Sequence, residues 1–134
     1  MTAPESTPDA PRIALGSVYH PPDEPYPRLL IMRRWPRGVA KGSVDQWEPE
    51  LGPSNDLLNR YLHEGLSWDD FAEGYRAEVL ERRNLLAWAA RMAEATGVTL
   101  LCSSHSDEQC HRSLLAALIR EHLAGALPPE APST

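Results

Sequence analysis

The chain has 134 residues, 42% of them hydrophobic, and a formal net charge of −6. That length fits one domain, which would bury roughly 65–70% of the surface its unfolded chain exposes. The charge argues against a protein that binds nucleic acid or membrane over its whole surface. No run approaches the ~18 apolar residues of a membrane span. Residues 1–11 (MTAPESTPDAP) lack the charged-then-apolar pattern of a signal peptide, so a cytoplasmic protein is expected. In that compartment two cysteines are expected to be free, reactive or metal-binding rather than a structural disulfide.

By composition, residues 1–11 and 126–134 read as disordered tails on a single domain over 12–125. Ile13 to Val18 predicts a first short strand. Tyr19 to Pro27 carries four prolines, which remove donors and fix φ, so it is irregular. Arg28 to Met32 predicts a second strand whose continuous apolar run suggests cover on both faces. Arg33-Arg34-Trp35-Pro36-Arg37-Gly38 is a loop, and irregular chain continues through Trp47, Pro49 and Gly52-Pro53.

Helices follow. Ser54 caps the first, with Leu57, Leu58, Tyr61 and Leu62 on one face, and Gly65 ends it. Ser67 caps the second, where Trp68, Phe71, Ala72, Tyr75 and Val79 form an amphipathic stripe read as core. The third turns Leu85, Leu86, Ala89, Met92 and Ala93 inward and stops at Gly97. Val98 to Cys102 predicts a third strand. A last helix uses Leu114, Leu115, Leu118, Ile119 and Leu123 and ends at Gly125. The pattern predicts an α/β fold: a small three-layer domain with a short, mainly parallel sheet of about three strands covered by helices. The helical crossover is long enough to make the last strand parallel to the second; the short first connection allows either direction. If all strands are parallel, Ser17, Tyr19, Arg33, Arg34, Arg37 and Cys102 share the carboxyl edge, where open α/β sheets bind ligands.

Chemistry concentrates at two places. Arg28, Arg33, Arg34, Arg37 and Lys41 lie in a stretch without a single acid. Arg33, Arg34 and Arg37 bracket Trp35, a pattern that can clamp phosphate and stack a base, or anchor a loop and pair with Asp45, Glu48 or Glu50. Ser17, Tyr19 and Trp35 are candidates for the rim. Cys102 ends a strand and faces a helix that opens Cys110-His111-Arg112. A helix N-terminus and nearby cations lower a thiol's pKa and make it a nucleophile. Cys102, Cys110 and His111 are therefore the catalytic candidates. Arg112 joins the arginines as an anion-binding candidate; its alternative role is a surface pair with Glu108.

Cys102, His105, Cys110 and His111 invite a metal reading. Adjacent on the last helix, Cys110 and His111 point about 100° apart and ligate one ion poorly, so no metal is expected. A Cys102–Cys110 disulfide could close across the turn and act as a redox switch.

Four segments carry a family resemblance: MRRWPRGVAK (Met32 to Lys41), WEPELGPS (Trp47 to Ser54), FAEGYRAEVL (Phe71 to Leu80) and VTLLCSSHSDEQCHRSLL (Val98 to Leu115). Over roughly Ile13 to Leu123 the chain resembles the domain-of-unknown-function family 488, DUF488. The first three segments are similar to a short bacterial branch, the last to a branch with a cysteine, a spacer and Cys-His-Arg. The resemblance implies a three-layer α/β fold with a small, mainly parallel sheet and no established reaction. Two departures stand out. Ser104 occupies a position where relatives often carry Glu, and Arg33-Arg34 replaces an expected Asp-Arg pair.

The sequence thus predicts an enzyme acting on an anionic substrate (phosphorylated, a nucleotide or nucleic acid) through a Cys/His/Arg site at the sheet's carboxyl edge. The alternatives are a non-catalytic nucleotide or nucleic-acid binding module and a metal- or redox-responsive regulator. No membrane partner is expected, and the residues name no cofactor and no oligomeric state.

Overall fold

The computed structural model describes residues 11–23, 25–103 and 110–128. Four strands, β1 (Ile13–Ser17), β2 (Arg28–Leu30), β3 (Gln46–Trp47) and β4 (Val98–Cys102), form one sheet. Four α-helices accompany them: α1 (Asn55–His63), α2 (Trp68–Leu80), α3 (Arg83–Ala95) and α4 (His111–Leu123). The spatial order is β1-β4-β2-β3, and every pair is parallel. The last strand therefore sits between the first two, and their short connection passes over its place.

β4 is buried along its whole length, which its unbroken apolar run demands once both faces are covered. Alternation then sorts its side chains. Val98 and Leu100, with Leu29 and Ile31 of the β2 segment, enter a core shared with α1 to α4. Leu101 and Leu30 enter a smaller cluster on the opposite face with Val18. That second face is covered by the loop chain after β2, through Met32, Trp35, Val39 and Val44. The three layers are helices, sheet and a layer of irregular chain.

The sequence punctuation acts where expected. The Ser54 and Ser67 hydroxyls accept from the amides of Leu57 and Asp70, each at 3.1 Å, and cap α1 and α2. Gly65, Gly97 and Gly125 follow α1, α3 and α4 with positive φ, as C-terminal caps require.

Three details differ from the sequence reading. β2 stops at Leu30 because the next carbonyl, that of Ile31, accepts from the His111 imidazole. β3 was not foreseen: its residues are both exposed, and it pairs only with β2 as a short edge. Finally, the start of the expected C-terminal tail is docked. Leu127 packs on the core and the Pro128 carbonyl accepts from Arg83. The expected disorder of residues 1–10 and 129–134 lies outside the described residues.

Candidate functional site

The carboxyl ends of β2 and β4 open into a cleft of about 660 Å³. Met32, Arg33 and Arg34 form one wall, just past β2. Residues of α1 and the start of α2 form the other, and Cys102, Ser103, Cys110 and His111 line the space between them. This is where parallel α/β sheets place ligands, because strand ends and helix N-termini meet there. Among the described residues no Asp or Glu lines it, although acids outnumber bases 19 to 13 in the chain.

Cys102 is the last residue of β4 and is 1% exposed. Its parity with Val98 and Leu100 turns it toward the helical face. Cys110 is the N-cap of α4, in extended conformation at φ −138°, ψ 143°. The two cysteines are joined as a disulfide, their Cα atoms 7.9 Å apart.

His111 opens α4 and reaches back over the sheet. Its Nε2 contacts the Ile31 carbonyl, while Nδ1 lies 3.9 Å from the Cys110 sulfur. A carbonyl only accepts, so Nε2 carries the proton and Nδ1 keeps its lone pair. The Tyr75 ring meets the imidazole edge-on at 5.5 Å and is held by its own hydroxyl, which donates to the Leu51 carbonyl at 2.6 Å. Burial lowers the His111 pKa to about 4; the Ile31 hydrogen bond works against this, and Arg112 works with it. Above that value the native imidazole is neutral. Unfolded histidine titrates near ~6.5, so between about 6.5 and about 4 the unfolded chain binds a proton that the native chain does not. Stability therefore falls as pH falls through that window and gains nothing from this group above it. Urea midpoints should drop less steeply across the window in His111→Gln than in the native sequence; equal slopes would contradict the burial.

Arg112, the anion-binding candidate on α4, is 2% exposed, the largest of the fully buried side chains among the described residues. Side chains in a first helical turn point back past the N-terminus, and this one runs onto the sheet. Its guanidinium donates to the Gly16 carbonyl at 2.9 Å and to the Cys102 sulfur at 3.0 Å. These two bonds tie the start of α4 to β1 and to the sulfur that ends β4. Glu108, its alternative partner, lies outside the described residues, as do Ser104 and His105.

The remaining arginines divide. Arg33 lines the cleft but is tied down: it donates to the carbonyls of Gly52 (3.1 Å) and Pro53 (3.4 Å) and pairs with Glu50. Glu50 also bonds Arg82, whose hydrogen bond and charge hold that carboxyl below its usual range. Arg34 lines the cleft, is exposed, and has no partner among the described residues. Arg37 does not line it.

Nor do the rim candidates. Ser17 is buried beside Cys102 in the sheet register, its hydroxyl accepting from the Tyr19 amide at 3.2 Å. The Tyr19 hydroxyl donates to the Arg37 carbonyl. Trp35 donates to the Val39 carbonyl at 2.8 Å and packs edge-on against Trp47, with ring centroids 5.4 Å apart. The chain turns at Pro36 and Gly38 onto the loop face of the sheet, so this indole covers the second core.

The cleft instead takes its aromatics from residues read as core. Tyr61, Trp68 and Phe71 form one cluster; Trp68 and Phe71 stack at 5.4 Å, and Tyr61 lies 4.7 Å from Phe71. Phe71 is buried, whereas Tyr61 and Trp68 are half-exposed to the cleft. Asn55 and Asn59 add amides, and Leu62, expected inside, is 59% exposed at the rim. The run of aromatics at helical spacing was the available signal for this wall.

A parallel α/β domain with a sulfur–imidazole–guanidinium cluster beneath a basic, aromatic-walled cleft is the class that fold and site define. The chain belongs to the DUF488-N3a family: the model described as "Active DUF488-N3 subclade" matches residues 13–123. It is 33% identical over 95 residues to the uncharacterized protein YeaO of Escherichia coli K12, covering 69% of this chain and 83% of that one. It is 30% identical over 112 residues to the uncharacterized protein Rv3073c of Mycobacterium tuberculosis H37Rv, covering 81% of this chain and 93% of that one. The uncharacterized protein Mb3100c of Mycobacterium bovis matches to the same extent. No solved structure matches the chain. Among the described residues no helix is long and apolar enough to cross a membrane.

Proposed function

We propose that the protein is an enzyme acting on an anionic substrate that carries a flat ring, the chemistry of a nucleotide. The observation that carries this reading is the cleft itself. Among the described residues its lining has two arginines and no acid, and the Cys102–Cys110–His111 cluster lies at its base.

Arg34, without a partner among the described residues, supplies a guanidinium whose fork suits phosphate or carboxylate. The start of α4 has no side-chain cap, so its first amides and the helix dipole favour negative charge beside the cluster. Trp68 and Tyr61 offer ring faces and edges, and Asn55 and Asn59 offer donors and acceptors for a heterocycle. In the reduced protein the Cys110 thiol faces the His111 Nδ1 lone pair as a hydrogen-bond acceptor, and the Arg112 guanidinium stabilises negative charge on Cys102. The cluster is then a thiolate centre under the bound substrate. The description of the matched subclade as active accords with a working site. A cytoplasmic location fits reduced thiols.

The test starts from a thermal-shift screen of mononucleotides and sugar phosphates at low salt with reduced protein. A ligand so found should bind at least about tenfold more weakly to Arg34→Ala, the loss of one charge-assisted contact. Its turnover should vanish in Cys110→Ser while the fold persists. Binding without any turnover, lost in Arg34→Ala but indifferent to Cys110→Ser, would make the protein a binding module. Turnover by Cys110→Ser at the native rate would end the proposal.

A further inference from the structure

We propose that, with its cysteines reduced, the protein holds one zinc-class divalent ion on Cys102, Cys110 and His111. The inference rests on the reading of this cluster as the working centre of the cleft and adds what the centre holds.

The ligand atoms of the three residues all lie within 4.8 Å of one another. Two thiolates and an imidazole are a donor set that suits zinc, and soft sulfur selects it over magnesium or calcium. Sequence spacing had argued against the site because neighbouring helical side chains diverge. That objection lapses because Cys110 is the extended N-cap of α4, outside the helix, and its sulfur and the His111 ring converge.

The backbone spacing points the same way. The Cα atoms of Cys102 and Cys110 are 7.9 Å apart, whereas disulfides ordinarily span about 4.4–6.8 Å. Two sulfurs bound to one ion through ~2.3 Å bonds sit roughly 3.8 Å apart at the tetrahedral angle, which suits the wider separation.

The surroundings of the ligands are those a metal centre needs. The Ile31 carbonyl takes the Nε2 proton of His111 and so fixes Nδ1 as the ligating atom. Ligating histidines are commonly held in this way. The Arg112 N–H on the Cys102 sulfur stabilises a ligating thiolate and offsets its charge. All three ligands line the cleft, so the remaining coordination position is filled from it by water or substrate. Loading balances simply. A phosphine reductant and water convert the disulfide to two thiols, the phosphine leaving as its oxide. The ion then displaces one proton from each thiol, and no electron moves in that step.

The experiment is titration of the full chain, reduced with a phosphine under inert gas, with Co²⁺ as a spectroscopic probe. One equivalent should produce thiolate-to-cobalt charge-transfer absorption and the visible bands of a tetrahedral ion, and Zn²⁺ should bleach both. Cys110→Ser should cut the charge-transfer intensity by about half, and His111→Asn should weaken binding at least tenfold. Far-UV circular dichroism checks that each variant is folded. Two freely titrating thiols and no charge-transfer band in the native sequence would overturn the site, as would an unchanged spectrum in Cys110→Ser. The two proposals fail separately. Turnover that needs Cys110 in protein that binds no cobalt leaves the enzyme reading and removes the metal. Stoichiometric cobalt binding in a protein that turns over no ligand does the reverse.

Discussion

Replacing Arg112 with Ala is expected to cost about 3–5 kcal/mol of folding stability, the largest loss from any single substitution around the cleft. Its side chain is 2% exposed and fills space between α4, β1 and β4. Truncation leaves a cavity, strips the Gly16 carbonyl of a charge-assisted donor and removes the N–H on the Cys102 sulfur. In a domain of this size the loss lowers the melting temperature by roughly 10–20 °C. Arg112→Lys keeps the charge but not the planar fork that reaches two acceptors at once, so it recovers only part. Denaturant melts of the three proteins decide it. A cost below about 1 kcal/mol for Arg112→Ala would mean the guanidinium is not the strut described.

Gly52→Ala is expected to cost about 3 kcal/mol, the top of the range for overpacking. A Cβ there would sit 2.6 Å from the Arg33 nitrogen, 2.9 Å from the Met32 carbonyl carbon and 3.0 Å from the Ile31 oxygen. These are backbone atoms just beyond β2, and none can rotate aside as a side chain would. The Ile31 oxygen is the one that His111 uses. The substitution therefore pushes the 49–53 turn off the wall that carries Arg33 and Arg34. Gly42→Ala is the control: nothing lies within 4 Å of its Cβ, and it should change stability by less than about 0.5 kcal/mol. Equal effects at the two glycines would show that the close approach is not the cause.

Much of the frame was legible because its signals are local. Val98 to Cys102 is an apolar run launched by a glycine, and β4 occupies those five residues. Ser54, Ser67, Gly65 and Gly125 bound their helices through contacts made within a few residues. β3 was illegible because an edge strand of two exposed residues needs no apolar pattern. Helical periodicity told which side of α1 and α2 faces inward but not where cover ends; hence Tyr61 and Trp68 line a cleft and Leu62 is exposed.

The cleft was legible as a place, not as a division of labour. Arg33, Arg34, Cys102, Cys110 and His111 do gather at one edge. No sequence rule separates an arginine that runs under a sheet from one that faces a cleft. Arg112 takes the first role and Arg34 the second because α4 starts directly above β1 and β4. Trp35, Tyr19 and Arg37 follow the same strand ends in sequence, yet Trp35 packs on the second core, the Tyr19 hydroxyl binds the Arg37 carbonyl, and none of the three is among the described lining.

The position of β4 also orders the assembly of the molecule in time. β1 and β2 have no partner in each other; both pair with a strand that begins at Val98. As the chain leaves the ribosome, its amino-terminal two-thirds holds both strands that flank β4, and the strand that joins them has not been made. Their pairing closes loops of about seventy to eighty-five residues, an arrangement that slows folding and leaves strand edges open meanwhile. The segment that completes the sheet is the one that ends in Cys102, so the fold and its sulfur centre arrive together.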